Sequence, residues 1–470
     1  MKMLIAGEWV NAKDAITVEN PFDQSVVDTV PRGTAEDMKR AIDSAVKGAK
    51  IARKMPVHQR MEILYRAAQI VKENLEEFAK TIATEGSKTI QEARKEAFRC
   101  VNTLTISAEE SRRILGETIP FNSVPGSENK TGYYYRMPIG VIGAITPFND
   151  PLNLVAHKLG PAIAGGNSVV LKPATVTPLT ALKLAEAFMK AGLPSHILNV
   201  VTGHASEVAD VLVTDPRVRM ITFTGGPEAG LDIMKKVGLK KIGMELGSNS
   251  PVIVMADCDL NWAVESSVSG AFWAVGQNCI GVQRILVENS IYDDFLKKFV
   301  DRTKKIKTGY QLDEKTDMGP MITLKEAERV ETWIQEAVEK GANIQTGGGR
   351  KGTLVDPTVL TDVPDDSTIK CEEVFGPVVI LQPIDTLDNA IEIANSVEYG
   401  LHGAIFTKDI NSAFKAAHEL DVGGVMINDS TDYRLDQMPF GGVKKSGLGR
   451  EGIKFALQEM TEPKVICINL

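Results

Sequence analysis

The sequence predicts an α/β protein with two doubly wound parallel sheets, and three observations carry this prediction. From Ile139 onward, short runs of apolar β-branched residues alternate with helical runs, which is typical of strand–helix–strand units. The alternation starts again after Pro251, so it forms two series that divide near residues 247–251. The chain has 470 residues, which at roughly 150 residues per domain suits three domains, or two large ones with an appendage.

The N-terminal quarter is predicted to be helical. Residues 34–116 have a helix start signal at Thr34 and long runs of Ala, Leu, Glu, Lys and Arg. Between Gly116 and Met137 the chain turns polar and aromatic, which favours a protruding hairpin. The apolar run from Lys464 to Leu470 is expected to be a strand that pairs with this hairpin or with another subunit.

The two alternating series follow. Helices are expected between the strands, among them one from Glu207, one from Glu228 and one around Trp262–Ala274. The predicted strands are Val141–Thr146, Ser168–Leu171, Ile197–Val201, Met220–Phe223, Lys241–Leu246, Val252–Met255 and Arg284–Val287.

The amino-acid composition excludes several classes of protein. Hydrophobic residues make up 43% and charged residues 24%, as in an ordinary globular protein, which excludes a disordered or fibrous chain. The net charge of −8 argues against a nucleic-acid or anionic-membrane partner, because such surfaces need clustered cations. No uncharged apolar stretch approaches the roughly 18 residues of a membrane span, and the N-terminus lacks the apolar run of a secretory signal.

The cysteines indicate a reducing compartment. They are odd in number, widely separated and free of any Cys-x-x-Cys pair, so neither a disulfide framework nor a zinc or other metal site is expected. A cytoplasmic location is therefore the expectation. The five positions are Cys100, Cys258, Cys279, Cys371 and Cys467.

Three glycine-rich runs are candidates for phosphate binding. Gly347–Gly352 and Gly447–Gly452 both match G-x-G-x-x-G, but neither has a strand before it and a helix opening on it, so plain turns are expected there. The run Phe223–Gly230 is better, because a strand ends at Thr224-Gly225-Gly226 and Pro227 suits the first turn of a helix. Its alternative is a simple strand-to-helix turn.

Three positions, far apart in the sequence, carry side chains that could take part in a reaction. Cys279 ends a helical pattern in the polar turn Gly276-Gln277-Asn278, which suits a nucleophile, although a buried structural cysteine is the ordinary alternative. Asn149 follows a strand, where open α/β sheets bind ligands. Glu245 ends another strand in an apolar setting that should raise its pKa toward that of a useful base.

With these residues in place, the chain resembles the aldehyde dehydrogenase superfamily from end to end. The family motifs occur in order as Pro147-Phe-Asn, Lys172-Pro, Phe223-Thr-Gly, Glu245-Leu-Gly, Gly276-Gln-x-Cys and Glu373-x-Phe-Gly-Pro. The resemblance implies two Rossmann-like domains plus a small β element for oligomerisation. It assigns residues 1–118 and 138–247 to cofactor binding, 248–443 to catalysis, and 119–137 with 444–470 to the oligomerisation hairpin, C-terminal loop and strand of a homodimer or homotetramer.

The resemblance also implies a reaction. Cys279 would attack an aldehyde to give a thiohemiacetal, whose oxyanion the Asn149 amide and the Cys279 N–H would hold. Oxidation by NAD or NADP would leave a thioester, which water activated by Glu245 would hydrolyse to the acid. The implied cofactor residues are Ile145, Thr146, Pro147, Phe148, Lys172, Thr175, Gly203, Phe223, Thr224, Gly225, Gly226, Gly230, Leu246, Glu373 and Phe375.

Two departures from the family pattern bear on specificity. Thr175 stands where members that prefer NAD carry Glu, so nothing acidic opposes the 2′-phosphate of NADP. Asn278 stands where members specific for phosphorylated or phosphonate aldehydes often have Arg, which favours a small hydroxyaldehyde of the lactaldehyde or glyceraldehyde type. Arg434, and Arg112 with Arg113 at a helix end, are candidates to pair with a carboxylate, phosphonate or sulfonate of an anionic aldehyde, or simply to tie the structure together.

Three other functions stay open on the sequence. An enzyme of this fold that passes the thioester to coenzyme A usually lacks the catalytic Glu, and Glu245 argues against it. A cysteine hydrolase or acyltransferase needs a His partner, and none of the six histidines lies in a motif that connects it to Cys279. A dinucleotide-binding protein without activity is the last alternative.

Overall fold

The computed structural model describes residues 1–470 and consists of 24 strands and 15 α-helices. The strands are β1 (Met3–Ile5), β2 (Glu8–Val10), β3 (Ala15–Glu19), β4 (Val26–Pro31), β5 (Glu117–Thr118), β6 (Lys130–Pro138), β7 (Val141–Ile145), β8 (Ser168–Lys172), β9 (Leu198–Val200), β10 (Val218–Thr224), β11 (Lys241–Glu245), β12 (Ser250–Val254), β13 (Val282–Glu288), β14 (Asn343–Thr346), β15 (Arg350–Lys351), β16 (Leu354–Val355), β17 (Thr358–Thr361), β18 (Val378–Ile384), β19 (Tyr399–Gly400), β20 (His402–Phe406), β21 (Gly424–Ile427), β22 (Val443–Lys444), β23 (Gly447–Leu448) and β24 (Thr461–Asn469). The helices are α1 (Ala35–Lys54), α2 (Val57–Glu73), α3 (Leu75–Glu85), α4 (Ile90–Ser111), α5 (Asn153–Ala164), α6 (Leu179–Lys190), α7 (Ala205–Thr214), α8 (Pro227–Lys236), α9 (Leu260–Phe272), α10 (Tyr292–Thr303), α11 (Leu324–Glu339), α12 (Thr368–Cys371), α13 (Leu387–Asn395), α14 (Ile410–Glu419) and α15 (Ile453–Glu459).

The first sheet has eight strands in the order β2-β1-β9-β8-β7-β10-β11-β23. Its five central strands, from β9 to β11, run parallel, and antiparallel strands close both edges. Two hydrophobic clusters cover its two faces, one built with α2 to α6 and the other with α1, α7 and α8. Helices on both faces of a parallel sheet make this unit doubly wound, as the sequence predicts.

The second sheet has seven strands in the order β14-β17-β18-β13-β12-β20-β21. All neighbours from β17 to β21 are parallel, and β14 forms an antiparallel edge. Helices α9 to α12 pack on one face and α13 with α14 on the other. The α/β fold class with two such units is therefore confirmed.

A third, three-stranded sheet joins β24, β6 and β5. Its register pairs Thr461 with Pro138 and continues for nine residue pairs to Asn469 with Lys130. The C-terminal strand thus pairs with the polar, aromatic segment that follows Gly116, one of the two partners expected for it. The outer edge of β24 pairs with no strand of this chain, and the side chains of Val465 and Ile468 in β24 are exposed.

The helical N-terminal region is divided into four helices, which the sequence analysis did not separate. Pro56, Asn74 and the segment from Gly86 to Thr89 interrupt it. Thr34 and Thr89 each cap a helix: the Thr hydroxyl accepts from the N–H of the acidic residue three positions on, and the carboxylate of that residue accepts from the Thr N–H. None of the helices is both long enough and apolar enough to span a membrane.

Candidate active site

A cavity of about 500 Å³ opens between the carboxyl ends of the first sheet and the segment that follows α9. It brings together the three candidates for chemistry, Cys279, Glu245 and Asn149, from positions far apart in the chain. Two candidate substrate residues, Asn278 and Arg434, line the same cavity. The location fits the rule that open α/β sheets bind ligands beyond the carboxyl ends of their strands.

The backbone before Cys279 is unusual. Helix α9 ends at Phe272, and Ala274, Val275 and Gly276 follow with φ angles of 50°, 64° and 66°. A left-handed conformation costs a β-branched residue such as Val275 roughly 1–3 kcal/mol, and it persists only where the surroundings enforce it. This tight reversal ends the helix and brings Cys279 to the cavity wall.

The Cys279 thiol lies in a setting that disfavours its charge. Burial raises the pKa of the thiol to about 12, and the neighbouring Arg434 guanidinium acts in the opposite direction. The Cys279 N–H and the Asn149 side-chain amide both lack hydrogen-bond partners within the protein. Two free donors therefore lie in the wall of the cavity that also holds the thiol.

Glu245 is the last residue of β11 and points into the same cavity. Its Oε2 atom is buried without a hydrogen-bond partner. Burial raises the pKa of this carboxyl well above its ordinary value, and the nearby Glu451 adds to the effect. The expectation of a raised pKa is confirmed.

Glu245 lies near a network of buried charges that no local sequence pattern predicts. Lys158 is 1% exposed and donates to Glu451 Oε1 at 3.0 Å and to Thr222 Oγ1 at 3.1 Å. Arg434 donates to Glu451 Oε2 at 3.1 Å and stacks on Phe440, with its guanidinium carbon 3.6 Å from the ring centroid. Although burial opposes it, Lys158 and Arg434 lower the pKa of Glu451 to about 2. Losing one member of such a buried pair typically costs about 3–5 kcal/mol.

The predicted cofactor residues follow the ends of β7, β8, β10 and β11. Lys172 ends β8 and donates to Thr175 Oγ1 at 3.1 Å, and Thr175 in turn donates to the Gly203 carbonyl at 3.1 Å. Burial lowers the pKa of Lys172 to about 8, and no carboxylate pairs with its ammonium group. Ile145, Thr146, Pro147 and Phe148 follow one another at the end of β7.

These residues fit a nicotinamide dinucleotide. The Thr146 and Thr224 hydroxyls are buried without hydrogen-bond partners, as expected of groups that form hydrogen bonds to a bound ligand. Gly226 caps α8 with Pro227 at its first position, and a Cβ on Gly226 would meet no atom within 4 Å, so the helix N-terminus is open to a phosphate. Phe223 and Gly225 precede this cap, and Gly230 packs its backbone against Leu246.

Glu373 and Phe375 reach the cleft from the second sheet. The Ser248 N–H donates to Glu373 Oε1 at 2.9 Å, and burial raises the pKa of Glu373 to about 7. Gln283, which the sequence analysis did not single out, holds this loop by donating to the Glu372 carbonyl at 2.7 Å and accepting from the Val374 N–H at 3.0 Å.

One candidate substrate residue lies elsewhere. Arg113 is exposed beyond the end of α4, pairs with Glu110 at 2.6 Å and lines a separate cavity beside β5, β6 and α15. The expectation that Arg113 faces the substrate is corrected by this placement, and Arg112 likewise lines a different groove beside α2. Cations nearer the start of α4, Lys95 and Arg99, line the cavity instead.

Comparison with known proteins gives the family. The chain matches the model of the aldehyde dehydrogenase family over residues 9–466. It is 50% identical to aspartate-semialdehyde dehydrogenase 1 of Pseudomonas canavaninivorans, over 97% of each chain. It is 47% identical to 3-sulfolactaldehyde dehydrogenase of Priestia megaterium, over 100% of this chain and 98% of that one. The lactaldehyde dehydrogenase of Methanocaldococcus jannaschii is 43% identical over 99% of this chain and 100% of its own.

The comparison with solved structures leads to the same family. Aldehyde dehydrogenase 21 from Physcomitrella patens, in complex with the reaction product succinate, superposes with a TM-score of 0.97 at 40% identity, over 100% of this chain and 98% of that one. Glyceraldehyde-3-phosphate dehydrogenase from M. jannaschii, complexed with NADP, has a TM-score of 0.94 at 43% identity, over 98% of this chain and 100% of that one.

Proposed function

The chain belongs to the aldehyde dehydrogenase family and is an NAD(P)-dependent enzyme, and on that premise we propose that its substrate is a short aldehyde with an anionic far end. The observation that carries the proposal is that Lys95, Arg99 and Arg434 line the same cavity as Cys279. Arg99 and Arg434 each keep a buried Nε–H without a partner, and Lys95 forms no ion pair. Each charge-assisted hydrogen bond to a carboxylate or sulfonate is worth about 1.5–3 kcal/mol.

Two relatives and one structural neighbour support an anionic substrate, whereas the lactaldehyde dehydrogenase supports a neutral one. The names of the two relatives specify aspartate semialdehyde and 3-sulfolactaldehyde, and the structural neighbour holds succinate. A neutral hydroxyaldehyde of the lactaldehyde or glyceraldehyde type is the second candidate. Two observations favour it: Glu451 already pairs with Arg434, and the uncharged Asn278 lies beside Cys279.

We assign the chemistry to the residues that share the cavity. Cys279 first loses its thiol proton to water, because the thiolate is the nucleophile, and its sulfur then bonds to the aldehyde carbon as the carbonyl π pair moves onto the oxygen. Arg434 favours that ionisation by its charge. The free N–H groups of Cys279 and Asn149 then stabilise the oxyanion, each contributing about 3 kcal/mol.

A nicotinamide cofactor bound in this cleft would supply the two-electron oxidation that leaves a thioester on Cys279. Glu245 is assigned the second half of the reaction, in which its carboxylate takes a proton from the water that attacks the thioester. Its raised pKa makes it a stronger proton acceptor than an ordinary carboxylate. The products are the carboxylic acid and free Cys279.

For the cofactor itself we propose a preference for NADP. Lys172 and the neutral Thr175 lie at the end of β8, and no carboxylate pairs with Lys172 to repel a 2′-phosphate. Glu373 is assigned to the ribose of the nicotinamide half, where its oxygens accept hydrogen bonds from hydroxyl groups.

The domain assignment is part of the same proposal. Residues 1–118 and 138–247 bind the cofactor, residues 248–443 carry the nucleophile, and residues 119–137 and 444–470 join subunits. The free edge of β24 with its exposed Val465 supports the last assignment. Light scattering at micromolar concentration should give a dimer or tetramer, and a monomer would contradict it.

An aldehyde panel tests the substrate proposal. Succinate semialdehyde, aspartate semialdehyde and 3-sulfolactaldehyde should give higher kcat/KM than lactaldehyde and glyceraldehyde. Arg99→Gln and Lys95→Gln should each lower kcat/KM for the anionic aldehydes by about tenfold or more and leave the neutral ones nearly unchanged, because each removes one charge-assisted bond. Arg113→Gln, just beyond the end of the same helix and outside the cavity, is the matched control. Equal losses for neutral and anionic aldehydes would defeat the proposal.

A further inference from the structure

Helix α4 passes beside the cavity and carries buried charges on one face. Glu92, Glu96 and Arg99 are four and three residues apart, which aligns them along a single stripe of the helix. Glu92 and Glu96 are 6% and 2% exposed, so two carboxylates are buried one helical turn apart. Buried carboxylates are costly unless hydrogen bonds compensate them, so their partners matter.

Glu92 is bonded to the segment before Cys279. Its Oε1 atom accepts from the Ala274 N–H at 2.8 Å, and its Oε2 atom accepts from the Thr89 N–H at 2.8 Å. Ala274 is the first of the three left-handed residues that bring Cys279 to the cavity wall. The carboxylate therefore satisfies a buried amide of the strained turn and anchors that turn to α4.

Glu96 is bonded to the segment after Asn149. Its Oε1 atom accepts from the N–H of Leu152, which precedes α5, at 2.8 Å and from the N–H of Asn153, the first residue of α5, at 3.1 Å. Its Oε2 atom accepts from Lys88 Nζ at 2.8 Å, and Lys88 also pairs with Asp150. The residues that immediately follow Asn149 are thus held at three points by charges on or just before α4.

We propose that Glu92 and Glu96 are positioning residues, which brace the Cys279 segment and the Asn149 segment against one rigid helix and so set the separation of the two oxyanion donors. The helix supplies the rigidity because neighbouring turns are a fixed 5.4 Å apart. Neither carboxylate lines the cavity, so each acts through another residue. The inference rests on the roles assigned to Cys279 and Asn149 in the proposed function.

A double-mutant cycle tests the Glu96 arm. Glu96→Gln should lower kcat by about tenfold or more with a smaller change in KM, because an error of about 1 Å in a catalytic group costs up to about 100-fold. In an Asn149→Ala background the same substitution should change kcat less than about twofold, since the donor it positions is already gone. Glu96→Asp keeps the charge and the Lys88 pair, and should show a smaller loss with the same dependence on Asn149.

The matched control is Glu85→Gln. Glu85 is also fully buried and also accepts from the first N–H groups of a helix, Leu179 at 2.7 Å and Thr180 at 2.8 Å of α6, but it does not line the cavity. Glu85→Gln should lower the melting temperature about as much as Glu96→Gln does. Its effect on kcat should be the same in the wild-type and the Asn149→Ala backgrounds.

The positioning role of Glu92 can be tested by a measurement that does not require catalytic turnover. Glu92→Gln should change the rate at which iodoacetamide alkylates Cys279 in the cofactor-free protein by about threefold or more, whereas Glu85→Gln should not. Equal losses of kcat for Glu96→Gln with and without Asn149, or an unchanged alkylation rate in Glu92→Gln, would overturn the inference. If Asn149→Ala itself leaves kcat unchanged, the proposed function fails instead.

Discussion

Phe148 and Phe375 meet edge to face, with ring centroids 5.7 Å apart and an interplanar angle of 89°. Phe148 follows β7 of the first sheet, whereas Phe375 precedes β18 of the second. The pair therefore joins the two sheets at the cleft where the cofactor residues lie. An edge-to-face pair contributes about 0.5–1.5 kcal/mol beyond its buried area.

Because the cofactor residues come from both sides of this contact, cofactor binding should stabilise the whole chain. NADP at about 100 times its Kd adds about 2.7 kcal/mol to the free energy of unfolding, which should raise the melting temperature by a few degrees. Phe375→Ala should weaken NADP binding and reduce this shift. Differential scanning fluorimetry with and without NADP measures it, and an undiminished shift in Phe375→Ala would remove Phe375 from the site.

The pKa of Cys279 predicts how its reactivity depends on pH. With the pKa raised to about 12, the thiolate fraction in the cofactor-free protein should rise about tenfold per pH unit throughout the neutral and mildly alkaline range. Iodoacetamide alkylation of a variant with Cys371 and Cys467 changed to Ser should follow that slope. Arg434→Met should slow it, since the guanidinium lowers the thiol pKa. A plateau near pH 9.0, the ordinary thiol value, would contradict the prediction.

Glu373 predicts a pH dependence of cofactor binding. Its pKa is raised to about 7 by burial, and only the ionised carboxylate accepts hydrogen bonds at both oxygens. The Kd for NADP should therefore increase as pH falls through 7, because a proton must then be displaced from Glu373. Calorimetry across this range measures the effect. Glu373→Gln should bind more weakly at high pH and lose the inflection, and a retained inflection would assign it to another group.

Thr175 predicts the preference between the two cofactors. A carboxylate at this position would lie beside Lys172 and repel a 2′-phosphate, so Thr175→Glu should lower kcat/KM for NADP relative to NAD by about tenfold, or about 1.4 kcal/mol. Thr175→Gln has a similar size without the charge and serves as the control. The same change of ratio in Thr175→Gln would mean that size rather than charge decides.

The fold was predicted correctly from the sequence, and so were the positions of Cys279, Glu245 and Asn149 at strand and helix ends, because these signals are local. Strand and helix periodicity depends on neighbouring residues, and the strand ends at Thr224 and Glu245 line the cavity. Each motif that carries the resemblance also spans only a few positions. Parallel sheets then bring these strand ends together without further information.

The charged partners could not be predicted in this way. Lys158 and Glu451 are 293 residues apart, and Arg99 and Asp436 are 337 residues apart, so no local pattern pairs them. Charges on a helix such as α4 ordinarily indicate a solvated face, whereas here Glu92 and Glu96 face inward. Arg113 was expected to face the substrate because it stands at the end of the helix, whereas Arg99, about four turns earlier, lines the cavity.

In the proposed reaction Cys279 carries the acyl group between oxidation and hydrolysis. To test this, Glu245→Gln is mixed with an anionic aldehyde and NADP, quenched with acid and analysed by peptide mass spectrometry. We expect a burst of NADPH stoichiometric with the chain, slow further turnover, and the mass of the acyl group on the Cys279 peptide. An adduct on another residue, or full activity of Cys279→Ala, would contradict this role of Cys279.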